Sequence, residues 1–293
     1  MAAEKRERSE KSAKSKSSLP PTLPGPALLF CPADRPDRYA KALAAADGVI
    51  LDLEDGVGAG AKQQARDALL ATPLDPARVI VRINATGTEQ HAADLAALRQ
   101  TGYRLVMLPK TESRAQLDDF GGQWQVIALC ETAAGIVNAA QVAAAPTVTA
   151  VMWGAEDLIA SMGGRSSRLP DGRYRDVARH ARSAVLLAAR AAGKDAIDAV
   201  YVNIPDTDGL AAEAQDAAAS GFTRKAAIHP SQVPVLRAAF QADETQLAWA
   251  RRVLAAARDA GALDKGAVKV DGQMIDAPLI RQAEAILASV RAQ

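Results

Sequence analysis

Residues 149–158, with the sequence TAVMWGAEDL, combine a short apolar run with two acids. The apolar run, Val151–Trp153, has the composition of a strand interior. The run stops at Gly154, before the two acids Glu156 and Asp157. A buried strand followed directly by polar side chains is typical of the active-site edge of an α/β fold. We therefore expect this strand to present carboxylates to a site.

Short apolar runs of the same kind recur along the chain and alternate with Ala-rich segments of helical spacing. Strands that alternate with helices of about ten or more residues predict parallel βαβ units. Eight such units predict an α/β fold of the (β/α)8 TIM-barrel type. The predicted strands are Ala27–Cys31, Gly48–Leu53, Val79–Ile83, Leu105–Leu108, Val126–Cys130, Thr149–Trp153, Ile197–Val202 and Ala226–Ile228.

An open, doubly wound sheet is the alternative arrangement of the same units. That fold normally carries a Gly-rich phosphate loop directly after its first strand. Here Ala27–Cys31 is followed by PADRPDR, which contains no glycine. The fingerprint of a dinucleotide-binding fold is absent from this position, so the barrel is favoured.

Three regions of the chain differ in composition. Residues 1–18 carry six Lys or Arg and three Glu with almost no apolar side chain, so burial cannot offset the entropy of ordering them. We expect residues 1–24 to be a disordered basic tail and residues 25–240 to be the barrel. Residues 241–293 are expected to form C-terminal helices with a lid between them, because Asp271–Gly272 is a hairpin turn signal.

The overall composition favours a small-molecule partner. Thirty-five basic and 34 acidic residues give a net charge of +1, which offers no strong field for nucleic acid or an anionic membrane. No apolar window is long enough to span a bilayer. Cys31 and Cys130 lie in apolar runs without metal-ligand spacing, as expected of core residues in a reducing compartment. We therefore predict a soluble, cytoplasmic protein.

A barrel places its active site in the loops that follow the carboxyl ends of its strands. Side chains capable of chemistry are concentrated at those ends here, whereas the opposite ends are mostly bland. In strand order, these residues are Asp34 and Arg35; Asp52, Glu54 and Asp55; Arg82 and Asn84; Lys110; Glu131; Glu156 and Asp157; Asn203; and His229.

Glu131 and Asp157 follow neighbouring predicted strands and are candidate Mg²⁺ ligands. Mg²⁺ prefers oxygen ligands and typically takes one or two carboxylates, leaving positions for water and substrate. The alternative is that both acids cap the helices that follow them. Glu156 is expected to face away from the site, because consecutive side chains of an extended segment point in opposite directions.

The acids after the second strand raise a question of charge balance. Alternation places Asp52 and Glu54 on one face and Asp55 on the other. Two inward carboxylates require a second cation or an arginine, and Arg82 on the next strand is the candidate. The alternative role for Arg82 is a structural ion pair at the barrel mouth. His229, which precedes a proline, is expected to be a hydrogen-bonded turn residue rather than a catalyst.

Eight motifs occur in an order that resembles the citrate lyase β-subunit-like family, within the HpcH/HpaI aldolase superfamily. They are LFCPADRPDR, GVILDLEDGV, VRIN, VMLPKTES, ALCETAAG, MWGAEDL, AAIHPSQ and DGQMIDAP. The resemblance covers roughly residues 27–285. The resemblance implies a Mg²⁺-dependent (β/α)8 barrel that cleaves or forms carbon–carbon bonds next to a thioester carbonyl. Citryl, malyl, citramalyl or related β-hydroxyacyl groups, carried on coenzyme A or an acyl carrier protein, are the implied substrates.

The resemblance also implies roles for individual residues. Glu131 and Asp157 correspond to the metal ligands, with Glu131 also at the substrate. Arg82 corresponds to the residue that holds the substrate near the reacting carbonyl. Asp276 in the MID motif corresponds to a catalytic acid that a neighbouring subunit contributes, which implies a homo-oligomer, usually a trimer or a pair of trimers.

Glu54 and Asp52 are assigned roles around this centre. Glu54 is expected to be catalytic by taking the proton of the substrate hydroxyl, and Asp52 to support the residues that surround the substrate.

Two positions depart from the family pattern. Pro26–Ala27 stands where many members have Arg-Ser before the first strand, so their contacts to the coenzyme tail are not expected here. Asp55 stands where the pyruvate aldolase branch has a histidine base, which argues against that branch. Two alternatives stay open, an aldolase that acts on free 4-hydroxy-2-oxo acids and a noncatalytic subunit of a lyase assembly.

Overall fold

The structure is a computed structural model that describes residues 22–259 and 267–291, and its main feature is a closed barrel of eight parallel strands. Each strand pairs with the next along the chain, and β8 pairs with β1 to close the barrel. The predicted (β/α)8 fold is confirmed. The strands are β1 (Ala27–Pro32), β2 (Gly48–Asp52), β3 (Val79–Arg82), β4 (Leu105–Leu108), β5 (Gln125–Cys130), β6 (Val148–Trp153), β7 (Asp195–Asp198) and β8 (Arg224–Ala227).

Helices surround the barrel and connect its strands. The α-helices of this region are α1 (Pro36–Ala45), α2 (Lys62–Ala71), α3 (Glu89–Leu98), α4 (Ala133–Val137), α5 (Ala139–Ala143), α6 (Ala155–Ser161), α7 (Asp176–Ala191), α8 (Thr207–Ser220) and α9 (Val233–Phe240). Short 3₁₀ segments occupy Ala59–Ala61, Pro76–Arg78, Arg114–Phe120 and Pro230–Gln232.

The period of two along each strand separates the buried apolar side chains into two clusters. On β2, Ile50 belongs to a cluster inside the barrel, while its neighbours Val49 and Leu51 pack outward against the helices. The same alternation continues beyond the apolar layer, so alternate side chains at the carboxyl ends of the strands also point into the barrel. Asp52 and Arg82, which are register partners on β2 and β3, occupy such positions.

Two strands begin earlier in the sequence than the apolar pattern predicts. The structure has β7 at Asp195–Asp198 rather than 197–202, and β8 at Arg224–Ala227 rather than 226–228. Charged residues at these positions indicate strand ends when the sequence is considered alone. In the fold they pair across the two strands, with Arg224 3.0 Å from Asp195 and Lys225 2.8 Å from Asp198. These ion pairs allow the charges to lie within the sheet.

The C-terminal region contains α10 (Glu244–Asp259), a two-stranded hairpin of β9 (Ala267–Val270) and β10 (Gln273–Asp276), and α11 (Ala277–Arg291). The predicted hairpin is confirmed. Asp271 and Gly272 form its turn with φ values of 49° and 83°, the left-handed pair that an Asp-Gly turn provides. Val253, Ile275 and Ile280 belong to a small core of this region.

Both cysteines are buried, as predicted. Within residues 22–259 and 267–291, we find no helix with the length and apolarity needed to cross a bilayer. The predicted tail lies almost entirely outside the described residues, which begin at residue 22.

Candidate active site at the carboxyl-end rim

A cavity of about 320 Å³ opens at the carboxyl ends of the strands. Polar side chains and apolar residues of the inner layer share its wall. The lining includes Phe30, Asp52, Arg82, Glu131, Met152 and Asp157. Val200 and Ile228 also line it, so seven of the eight strands or the segments after them contribute to one chamber, as expected for the active-site end of a barrel.

Arg82 compensates the two inward acids, as its position predicts. Its Nε and Nη2 donate to Asp52 over 2.7 and 2.6 Å, a bidentate pair, and its Nη1 lies 2.9 Å from Glu54 Oε2. Burial alone would lower the pKa of the Arg82 guanidinium, but the bond to Asp52 and the charge of Glu54 raise it instead. Arg82 is therefore a fixed cation in the chamber wall.

Asp52 uses both carboxylate oxygens for structure. Besides Arg82, its Oδ1 accepts the N–H of Glu54 and its Oδ2 accepts the N–H of Gly56, over 2.9 and 2.8 Å. Asp52 and Glu54 both contact Arg82 whereas Asp55 is exposed, in agreement with the predicted division between the two faces. Asp52 therefore holds Arg82 and the following turn in one arrangement.

Glu54 contacts Arg82 from behind the residues that line the cavity and retains an acceptor without a hydrogen bond. Its Oε2 is buried and accepts no hydrogen bond, so its contact with Arg82 is ionic. Burial raises the pKa of the Glu54 carboxyl, although Arg82 and Lys110 act to lower it. A buried carboxylate oxygen without a donor can accept a proton or a hydrogen bond from a ligand.

Lys110 is a site residue to which the sequence alone assigns no role. Its ammonium lies 2.5 Å from Glu54 Oε1, 3.4 Å from Asp55 and 3.8 Å from Asp157. Its backbone has a φ of 50°, in the left-handed region that is uncommon for residues other than glycine. This turn after β4 also directs its N–H to Glu131 Oε1 over 3.1 Å. The positive φ is invisible in the sequence PKT.

Glu131 follows β5 and is buried against the turn after β6. A Cβ on Gly154 would lie 2.7 Å from Glu131 Oε2, so glycine is required for this close approach. Burial raises the pKa of the Glu131 carboxyl to about 8, and the neighbouring carboxylates of Asp157 and Glu54 contribute to the increase. Negative charge is therefore under-compensated in this part of the chamber.

The prediction that Glu156 faces away from the site is wrong. The helix α6 begins at Ala155, immediately after Gly154, so Glu156 and Asp157 lie in a helical first turn rather than an extended segment. Both line the cavity. Their polar partners differ. Ser167 Oγ donates to Glu156 Oε1 over 2.7 Å, whereas Asp157 lies 3.8 Å from the ammonium of Lys110. Alternation was the wrong rule for a helix, in which successive side chains lie about 100° apart.

Glu131 and Asp157 fit the requirements of a Mg²⁺ site. The charge of Asp157 adds to burial in disfavouring the ionised form of Glu131, and a divalent cation between the two carboxylates would offset both effects. No set of three or more His, Cys, Asp or Glu converges on a metal position within residues 22–259 and 267–291. A site here would rest on these two acids, with the remaining positions left to water and substrate oxygens.

Other candidate residues lie elsewhere. Asp276 ends β10, where its Oδ1 accepts the N–H of Leu279 over 3.5 Å at the start of α11. Asp276 is not one of the described residues that line the cavity of its own chain. His229 accepts the N–H of Ser231 and begins a 3₁₀ turn, so the prediction of a turn residue is confirmed.

A (β/α)8 barrel with acids, an arginine and a lysine around a chamber at its carboxyl-end rim has the architecture of an enzyme. The model of the HpcH/HpaI aldolase/citrate lyase family matches residues 27–230. The chain belongs to this family, as its motifs predict, and the prediction of a carbon–carbon lyase is confirmed.

Two relatives and one solved structure illustrate the similarity. A citrate lyase subunit beta-like protein of Mycobacterium tuberculosis is 58% identical over 263 residues, covering 90% of this chain and 94% of that protein. The mitochondrial citramalyl-CoA lyase of Homo sapiens is 32% identical over 299 residues, covering 92% and 86%. A crystal structure of protein CitE of M. tuberculosis with magnesium, acetoacetate and coenzyme A has a TM-score of 0.87 at 57% identity, covering 92% and 98%.

Proposed function

We propose that this enzyme is a Mg²⁺-dependent lyase that cleaves, or in reverse forms, a β-hydroxyacyl thioester of the malyl, citramalyl or citryl type. The products are an acetyl-type thioester and a keto acid. The observation that carries the proposal is the pair of acids, Glu131 and Asp157, in one chamber with Arg82. The similarity to a structure that holds magnesium, acetoacetate and coenzyme A supports it.

Glu131 and Asp157 would hold the cation, which when bound supplies positive charge that lowers the pKa of the substrate hydroxyl and polarises the keto acid. Glu54, whose buried Oε2 accepts no hydrogen bond, would take the proton of that hydroxyl. Breaking the carbon–carbon bond leaves the electron pair on the thioester fragment as an enolate. Arg82, a permanent cation, stabilises the enolate oxygen.

Asp276 would protonate the enolate carbon, or deprotonate it in the condensing direction. In this chain Asp276 ends the hairpin of the C-terminal region, so we infer that a neighbouring subunit supplies it. This assignment requires a homo-oligomer, for which a trimer or a pair of trimers is our proposal. Coenzyme A is the proposed carrier, with an acyl carrier protein as the alternative.

The function is tested by following release of glyoxylate or pyruvate from malyl-CoA or citramalyl-CoA with and without Mg²⁺. Asp157→Ala is expected to abolish release and the rise in melting temperature that Mg²⁺ produces in the wild type. Asp176→Ala, which removes an exposed acid on α7, is the matched control and should change neither. Full turnover in Asp157→Ala would show that the metal assignment is wrong.

The shared site is tested by mixing two inactive variants. Asp276→Ala subunits lack the lid acid, and Glu131→Ala subunits lack a metal ligand. Co-refolded or exchanged oligomers should regain part of the activity, because some sites then combine an intact barrel with an intact lid. Absence of any rescue, in a sample shown by light scattering to contain mixed oligomers, would contradict the proposal for Asp276.

The two alternatives predict different substrates and binding. An aldolase for free 4-hydroxy-2-oxo acids would use pyruvate as the enolate donor in condensation and ignore acetyl-CoA. A noncatalytic subunit would show no turnover with either pyruvate or acetyl-CoA. Condensation rates with pyruvate and acetyl-CoA, measured side by side with glyoxylate as acceptor, distinguish the three.

A further inference from the structure

We propose that Lys62, at the start of α2, is a positioning residue for the Glu54 carboxylate. The inference rests on the proposed function in that it takes Glu54 to act in the chamber. The ammonium of Lys62 donates to Leu53 O and Glu54 O over 2.7 Å each, and to Asn84 Oδ1 over 2.9 Å. A lysine ammonium has three donors, and all three are used here.

Two of these bonds hold consecutive carbonyls in the segment directly after β2. This segment, residues 53–57, has no regular ladder of its own. Leu53 N donates to Arg82 O on β3, and Leu53 O also accepts from Asn84. The remaining backbone bonds run from the N–H groups of Glu54 and Gly56 to Asp52, and from Val57 N to Glu54 O. Asp52 therefore fixes the amides of the turn, and Lys62 fixes its carbonyls. The carboxylate of Glu54 extends from this clamped backbone.

The third bond ties Lys62 to a buried polar network. Asn84 Nδ2 donates to Leu53 O over 3.0 Å and to Asp94 Oδ2 over 2.6 Å. Asp94 is fully buried and is paired with Arg66 at 3.0 Å. The network thus links the ends of β2 and β3 to α2 and α3. Because the bonds of this network join rigid elements, the network holds the turn after β2 in one position.

The location of Lys62 argues against a role in helix stability. Lys62 is the first residue of α2, where the positive end of the helix dipole disfavours a cation. Its charge is instead directed to the turn after β2. Glu54, on the other side of that turn, contacts Arg82 at 2.9 Å and Lys110 at 2.5 Å, and both contacts depend on where its backbone lies.

The test compares Lys62→Met with Lys41→Met, which removes an exposed lysine on α1. We expect Lys62→Met to lower kcat for keto-acid release about 10- to 100-fold with a small change in KM, since misplacement by about 1 Å costs this much. Hydrogen exchange of residues 53–57 should rise in this variant while the other strands of the barrel keep their wild-type rates. Lys41→Met should match the wild type in every measurement.

Asn84→Ala serves as a second variant if Lys62→Met does not fold, because it removes one of the three acceptors and should raise exchange in the same segment. Unchanged exchange at 53–57, or a uniform rise throughout the barrel, would overturn the positioning role. If the wild type releases no keto acid, the proposed function fails, and the exchange measurement still decides whether Lys62 holds the turn. If the wild type is active and Lys62→Met keeps its kcat, the inference alone fails.

Discussion

Arg82 shows at the scale of one residue how charge and geometry combine in this site. It is the only cation bonded to Asp52 among the side-chain contacts described, and it also touches Glu54. Its planar group satisfies one acid in a bidentate manner and reaches the other with its third nitrogen. Lysine carries the same charge but cannot reproduce this fork.

We predict that Arg82→Lys lowers kcat/KM for thioester cleavage about 100- to 1,000-fold, the usual cost of losing a donor that stabilises an enolate-type oxygen. The melting temperature should change little, because the charge in the chamber wall is kept. Steady-state kinetics and thermal unfolding give the two measurements. Arg179→Lys, at an exposed i,i+3 pair on α7, is the control. Wild-type kinetics in Arg82→Lys would show that the arginine is structural only.

The junction of β6 and α6 is the element that brings Asp157 to Glu131. Gly154 lies between them with φ −126° and ψ 128°, values that any residue adopts. Glycine is needed there for space rather than for backbone freedom, because the Glu131 carboxylate occupies the position of a side chain. This close approach joins the ends of two neighbouring strands into one candidate metal site.

Gly154→Ala is therefore expected to weaken Mg²⁺ binding at least tenfold, since its Cβ would lie 2.7 Å from Glu131 Oε2 and displace that oxygen. Titration calorimetry with Mg²⁺ measures the change directly. Gly60→Ala is the matched control, because an added Cβ there meets no atom within 4 Å. Equal Mg²⁺ affinities for the two variants would contradict a role of Glu131 as ligand.

A buried ion cluster behind β7 and β8 bears on the stability of the whole molecule. Lys225 and Asp198 are fully buried and lie 2.8 Å apart, and Arg182 and Trp153 Nε1 also donate to Asp198. Burial acts to raise the pKa of Asp198, but Lys225 and Arg182 outweigh it, so the pKa lies below its usual range. The cluster ties the end of β6, which precedes Asp157, to the outer helices.

A carboxyl with a lowered folded-state pKa contributes stability above its unfolded value of about 3.9 and loses that contribution as the pH falls through the folded value. Asp198→Asn is expected to cost about 3–5 kcal/mol of unfolding free energy at pH 7, because Lys225 loses the fully buried one of its two carboxylate partners and keeps only Glu213, 2.9 Å away. The difference from wild type should shrink as the pH is lowered below about 4.

Urea unfolding across pH measures this difference, with Asp176→Asn at an exposed position as the control. The double variant Asp198→Asn/Lys225→Met should be less destabilised than Asp198→Asn, because the under-compensated buried ammonium is removed while Glu213 keeps Arg168 at 2.8 Å. A constant difference between wild type and Asp198→Asn at all pH values would rule out the ionic explanation.

Local periodicity was sufficient to predict the barrel and several of its site residues. Alternating apolar runs and helical segments determine eight βα units, and a period of two places Asp52 and Glu54 on one face with Arg82 on the next strand. These relations hold between residues that are close in sequence or on adjacent parallel strands. They follow from backbone geometry and need no knowledge of distant contacts.

The tertiary structure decided what depends on distant partners. Asp195, Asp198, Arg224 and Lys225 lie within strands because ions on the neighbouring strand or helix compensate them. Glu156 lines the cavity because α6 begins one residue after Gly154. Lys110 reaches Glu54 across 56 residues of chain, and Lys62 reaches Asn84 across 22. Local sequence patterns are sufficient to predict the barrel and the acids at its rim. Which charges meet depends on the closed fold, because pairing energies follow distance and burial rather than order in the chain.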